Sequence, residues 1–307
     1  MVAGDSPAHS QTPTTKPTYS ISEWRRIEAL LLREAESGVQ NPATPRNQLS
    51  RNVQVTMKNM LRLMCITAHP DDEAGSFGAS LRLYRDRSVE TCVICLTPGQ
   101  AATHRGGAAS DQELAALRRK EFAAACEILK VSQGLVLDYP DGQLHRQDLY
   151  KVVCDLTLHV RRFRPNVLVT FSPDGSVTGH TDHSMASVFA TLAFHWAGRT
   201  NRYPDQLTGG IAPHRGDKLY YSTATFNLAD RQPVSLPPAT AVIEIGDYLE
   251  TKIAAFKAHT SQAPLWPMFE SHVRQRGRQE MFHLVARMTL GMIELETDLF
   301  AGVKDQA

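Results

Sequence analysis

The chain has 307 residues, 42% of them hydrophobic, which is enough to bury a large core; α/β domains of ~200–250 residues commonly fold as one unit. Lysine and arginine total 33 against 32 acids, a net charge of +1, so the basic excess expected of a nucleic-acid binder is missing. No apolar run is long enough to span a bilayer and none is flanked like a secretory signal, which makes the cytoplasm the expected compartment.

Residues 1–20 are rich in Ser, Thr and Pro and are expected to be disordered. A helix follows over about Glu23–Glu36, where Ser20 and Glu23 have capping-box spacing and Trp24, Ile27 and Leu31 share one face. The polar stretch from Ser37 to about Asn52 reads as a linker. Residues 21–58 therefore form an accessory arm, suited either to lying across the core domain or to self-association as a homo-oligomer.

From Leu61 onward, strand and helix patterns alternate. Strands are expected at Leu61–Thr67, Thr91–Thr97, Leu135–Leu137 and Asn166–Phe171. Helices are expected at about Gly75–Arg87, Asp111–Lys130, Leu149–Phe163 and His183–Trp196. Such alternation implies βαβ crossovers and a mainly parallel sheet covered on both faces, a Rossmann-like three-layer α/β/α domain over residues 59–300. After Gly198 the pattern loosens. Strand-like runs at Lys218–Ser222 and Ala241–Ile245 precede a helix at about Asp247–His259 and a C-terminal helix from about Gln279. Cys92 and Cys95 have the spacing of a metal or redox pair, but residues three apart in a strand face opposite sides. These and Cys65, Cys126 and Cys154 read as small buried hydrophobes.

The first strand-to-helix turn carries the chemistry. A dinucleotide fingerprint places three glycines there; this chain has Ala68-His69-Pro70-Asp71-Asp72-Glu73 instead, and its acids would repel a pyrophosphate. One imidazole and three acids are costly to cluster unless a cation neutralises them. A second segment, Gly179-His180-Thr181-Asp182-His183, lies just past another expected strand. His69, Asp72 and His183 offer two imidazoles and a carboxylate, the donor set of catalytic zinc sites and one that also suits iron(II). A divalent ion there acidifies a water molecule, and Asp71 is placed to take its proton. His180 shares a side with His183 and is free to stabilise an oxyanion or protonate a leaving amine, with Asp182 expected to hold its orientation.

The two segments resemble the signatures of the LmbE-like, or PIG-L, family of metal-dependent N-acetylglucosaminyl deacetylases, over about Leu61 to Gln262. The resemblance implies His69, Asp72 and His183 as metal ligands, Asp71 as general base and His180 as stabiliser of the tetrahedral intermediate. It also implies Zn2+ as cofactor, with Fe2+ the other ion in vivo, and hydrolysis of a linear amide in a small N-acetylated amino sugar. Arg118, in Arg118-Arg119-Lys120-Glu121, is similar to a substrate-contacting residue of the family, with Arg119 as the other candidate. Asp141 resembles a loop acid that grips sugar hydroxyls; Pro140-Asp141-Gly142 is equally a plain turn. Lys252 and His259-Thr260-Ser261-Gln262 resemble a family segment of structural role. The rival readings are an amidase of a thiol-sugar conjugate with the same site, and a metal-bearing carbohydrate-binding protein without turnover.

Overall fold

The computed structural model describes residues 60–228, 231–292 and 294–303. The expected disordered N-terminus, arm helix and linker lie outside these residues. Seven strands form one sheet in the order β3-β2-β1-β4-β5-β7-β6. They are β1 (Arg62–Thr67), β2 (Glu90–Cys95), β3 (Gln133–Val136), β4 (Val167–Thr170), β5 (Lys218–Thr223), β6 (Ala241–Glu244) and β7 (Gln279–Arg287). The first five run parallel, and β7 lies antiparallel between β5 and β6. Among the described residues six α-helices accompany them: α1 (Asp72–Asp86), α2 (Asp111–Ile128), α3 (Leu149–Phe163), α4 (Thr181–Ala197), α5 (Leu249–Lys257) and α6 (Trp266–Arg276).

Consecutive residues of β1, Met64 to Thr67, have no exposed surface, so both faces of the central strands are covered. Helices α1 and α2 pack with α5, while α3 packs with α4. Each fully buried Ile, Leu or Phe in this core contributes about 1.5–3 kcal/mol relative to exposure. Ser110 caps α2 by accepting the Glu113 N–H, and Asp148 caps α3 by accepting that of Lys151. The cysteines are free; Cys65, Cys92, Cys95 and Cys126 are buried, and burial pushes their thiols well up, as expected of inert core residues. Among the described residues no helix is long and apolar enough to cross a membrane.

The expected C-terminal helix from Gln279 is instead strand β7. Its buried positions, Glu280, Phe282 and Leu284, alternate with period two, as a strand requires. The alternation is masked in the sequence because one inward position is an acid. Glu280 is buried because Lys252 Nζ donates to it at 2.6 Å, and the N–H groups of Ala79 and Ser80 donate to it from α1. Helix α6 has no counterpart in the sequence reading; Pro264 and Pro267 flank its start, and a proline in the first turn is compatible with a helix. Helices α1 and α4 also begin three and two residues earlier than expected, which puts the acids of each segment in a first turn where the helix dipole favours them.

Removing one partner of a buried ion pair strands the other. Lys252→Met should therefore cost about 3–5 kcal/mol in urea denaturation, and Lys252→Met/Glu280→Leu should recover most of that loss.

Candidate metal centre and active site

Strand order reverses between β1 and β4, and the loops leaving their carboxyl ends carry the two segments. That is where an open α/β sheet forms its crevice. The loop after β4 turns through Gly175 (φ +81°), where a Cβ would come within 2.7 Å of the His180 backbone, and delivers His180 to the N-cap of α4. A side chain at position 175 would push the second segment away from the first.

Asp72 stands between the two histidines. Its Oδ1 lies 3.1 Å from His183 Nε2 and its Oδ2 lies 3.5 Å from His69 Nδ1. The Ala68 and His69 N–H groups donate to Oδ2 and fix the carboxylate. Burial alone would raise the Asp72 carboxyl, but the adjacent His183 and His69 imidazoles outweigh it and hold the group well below the usual carboxylate range. The His183 ring stacks on Phe171, with centroids 3.9 Å apart and planes 2° from parallel. Thr178 Oγ1 gives its proton to Gly175 O at 3.1 Å and so accepts His183 Nδ1–H at 2.9 Å. His183 Nε2 then faces a carboxylate oxygen, a contact that needs a proton or a cation between the two atoms.

A cation between them resolves that opposition. Charge balance points the same way. Asp71 is paired with Arg118 and Glu73 with His259, whereas no Lys or Arg among the described residues forms an ion pair with Asp72, Asp141 or Asp182. The residues fit a divalent ion. His180 Nδ1 or Nε2 also comes within 4.8 Å of ligand atoms of His69 and His183, so all three imidazoles cluster. His69, Asp72 and His183 are buried, but His180 is exposed at the mouth. Burial and the His69 and His183 rings beside it push the His180 imidazole below its usual value.

Asp71 occupies a left-handed backbone conformation (φ 115°) that side chains rarely adopt and that costs ~1–3 kcal/mol. Its surroundings enforce it. Glu73 Oε2 accepts the Asp71 N–H, and the Arg118 guanidinium donates to Asp71 Oδ2 at 2.7 Å, to Gly99 O at 3.1 Å and to Pro70 O. Burial pushes the Asp71 carboxyl up to about 6 against the opposing pull of Arg118, within reach of a proton acceptor at neutral pH. Gly99 has φ +69°, and any side chain there would strike the Arg118 guanidinium.

All eight residues singled out in the sequence reach this crevice, though three have unexpected partners. Arg118 is 3% exposed and spent on Asp71 and backbone carbonyls. Asp141 Oδ1 lies 3.1 Å from His69 Nε2, and its Oδ2 accepts the Ala101 N–H. The Asp182 carboxylate does not hold His180. It lies 3.3 Å from His69 Nε2 and accepts the N–H groups of Gly142 and Leu144, while His180 Nδ1 accepts the Asp182 backbone N–H. The reason is the helix start: His180 is the cap, and the residue two further on turns its side chain inward.

The structural role expected of the segment 259–262 finds its partners behind the site, which the sequence did not name. His259 Nε2 meets Glu73 Oε1 at 2.7 Å with both side chains fully buried, Ser261 and Thr260 donate to Glu121, and Gln262 donates to His104 O. The partners of His259 and Glu121 lie 186 and 139–140 positions away, so no local pattern reveals them. Thr178 and Phe171, which orient His183, have no local signal either.

Residues 64–194 match the model of a protein family, PIG-L, described as GlcNAc-PI de-N-acetylase. The chain is 30% identical over 297 residues to a 1D-myo-inositol 2-acetamido-2-deoxy-alpha-D-glucopyranoside deacetylase of Catenulispora acidiphila, covering 78% of this chain and 97% of that one. It is 27% identical to the mycothiol S-conjugate amidase of Streptomyces coelicolor, over 82% of this chain and all of the other. In fold it is similar to the N,N'-diacetylchitobiose deacetylase of Pyrococcus horikoshii, with a TM-score of 0.63 at 23% identity, covering 88% of this chain and 95% of that structure. Since the first of these relatives is matched across nearly its whole length, the chain belongs to the PIG-L family.

Proposed function

We propose that the protein is a metal-dependent hydrolase that removes the N-acetyl group from an N-acetylglucosamine-containing small molecule or glycoconjugate. The observation that carries this reading is Asp71, held in a strained backbone conformation by Arg118, beside the His69, Asp72 and His183 donor set and the exposed His180. His69, Asp72 and His183 would hold the ion, zinc on the chemistry of the donors, with iron(II) as the other candidate. When bound, such an ion supplies Lewis acidity to the acetyl carbonyl and lowers the pKa of a water molecule.

The chain's own residues do the rest. Asp71 accepts the proton of the attacking water, and Arg118 keeps its carboxylate aimed at the crevice. His180, at the mouth, donates a hydrogen bond to the oxygen that becomes negative in the tetrahedral intermediate. The proton held by Asp71 then passes to the departing amine, leaving acetate and a free amino sugar. The covered sheet faces and the buried positions of His69 and Asp72 shield one side of the reaction from bulk water.

A second reading, cleavage of a larger acyl group by the same residues, is favoured by the likeness to the Streptomyces amidase. Free-amine detection on a panel of N-acetylglucosamine conjugates and thiol-sugar amides, with zinc- and iron-loaded protein, separates the two. Turnover of the acetylated sugars is the expected result, and release of amine from the bulkier amides alone would reverse the order. Tight sugar binding with metal present and no released acetate would leave only the non-catalytic reading.

In the same assay Asp71→Asn should lower turnover by about 10²–10⁴-fold while elemental analysis finds the metal retained. Arg118→Lys cannot reproduce a fork that reaches a carboxylate and two carbonyls at once. It should lower kcat by about 10²-fold with KM little changed, whereas an arginine that gripped substrate would show itself as a raised KM.

A further inference from the structure

We propose that Asp141 and Asp182 together fix His69 with its proton on Nε2, so that Nδ1 is the atom presented to the metal and Asp141 sets metal affinity rather than sugar affinity. The inference rests on the proposed role of His69 as a ligand. Its evidence is the way one imidazole nitrogen faces two carboxylates: Asp141 Oδ1 at 3.1 Å and Asp182 Oδ2 at 3.3 Å from Nε2. Two anionic acceptors around one buried nitrogen need either a proton or a metal ion between them, and these three residues could themselves group around an ion; with the ion on the Asp72 side, as the proposed function has it, Nε2 is left to carry the proton. Asp182 has no exposed surface, and Asp141 and His69 are 8% and 9% exposed.

Neither carboxylate is free to choose another partner. Asp141 Oδ2 accepts the Ala101 N–H at 2.9 Å. Asp182 accepts the Gly142 N–H at 2.7 Å and the Leu144 N–H at 3.2 Å. The turn at Pro140-Asp141-Gly142 is thus tied to the first turn of α4, with the His69 Nε2 proton at the knot. The φ of +73° at Gly142 is what lets its N–H reach Asp182 immediately after Asp141 has turned inward.

With Nε2 occupied, the His69 lone pair lies on Nδ1, and that atom faces Asp72 Oδ2 at 3.5 Å. The carboxylate–histidine arrangement raises ligand basicity and fixes ring orientation. The two ligand histidines differ in this respect. His183 is backed by the neutral oxygens of Thr178 and Gly175, His69 by two anions.

Zinc affinity, measured on apo-protein by competition with a colorimetric chelator, tests the proposal in the wild type, Asp141→Asn, Asp182→Asn and His69→Ala, with thermal melts to confirm folding. Asp141→Asn and Asp182→Asn should bind Zn2+ about 10–100-fold more weakly, and excess Zn2+ should restore the turnover of Asp141→Asn with KM near the wild-type value. Zinc binding of wild-type strength in Asp141→Asn, together with a raised KM, overturns the proposal while a His69→Ala variant that has lost zinc leaves the metal site standing. A His69→Ala variant that binds zinc normally overturns the ligand assignment itself. Long-range 1H–15N correlation on the unmutated zinc-loaded protein is independent of any variant's folding: a proton on His69 Nε2 supports the proposal, and a proton on Nδ1 refutes it.

Discussion

Three carboxylates, those of Asp72, Asp141 and Asp182, converge on two imidazoles in the crevice between β1 and β4, and among the described residues no ammonium or guanidinium forms an ion pair with them. Burying such a cluster is unfavourable by itself. Part of the cost is offset by backbone: Asp72 takes the N–H groups of Ala68 and His69, Asp182 those of Gly142 and Leu144, and Asp141 that of Ala101. Asp72 and Asp182 also sit in the first turns of α1 and α4, where the helix dipole favours negative charge. What remains is a site whose charge a divalent cation would balance, and the proposed chemistry follows from that.

Around this centre the chain stores strain and then braces it. Asp71 is forced to positive φ between two residues that must face the cation site, and the side chain so aimed is the one proposed to move a proton. Its bracing comes from far along the sequence. Arg118 on α2 holds the carboxylate, Glu73 holds the Asp71 N–H, and His259 holds Glu73 in turn. Glu121 on α2 is secured by Thr260 and Ser261, next to the same His259. The segment 259–262 thus ties α1 and α2 together behind the site, which accounts for this cluster of buried polar residues.

Much of this was legible in the sequence. The parallel half of the sheet announced itself through apolar runs at Leu61–Thr67 and Asn166–Phe171, because strands covered on both faces cannot carry a polar face. The residues of the candidate donor set could be named because His, Asp and His at strand ends have few other reasons to occur together. Strand β7 was not legible, since Glu280 is an acid at a core position and its partner Lys252 belongs to another element. The partners of Asp182 were not legible either: its neighbour in sequence is His180, but the turn at Gly142 and the ring of His69 reach it only through the tertiary fold. Arg118 showed the same gap, its position on α2 being predictable and its engagement with Asp71 not. Residue types announce a chemistry, and long-range packing decides which atom each one offers.

The most direct test of the account is anomalous diffraction at the zinc absorption edge from crystals of the zinc-loaded protein. The account predicts one strong peak about 2.0–2.2 Å from His69 Nδ1, an Asp72 oxygen and His183 Nε2, on the crevice side of the three residues. A peak elsewhere on the molecule, or a zinc ion held by Asp141 and Asp182 with Asp72 turned away, would contradict it.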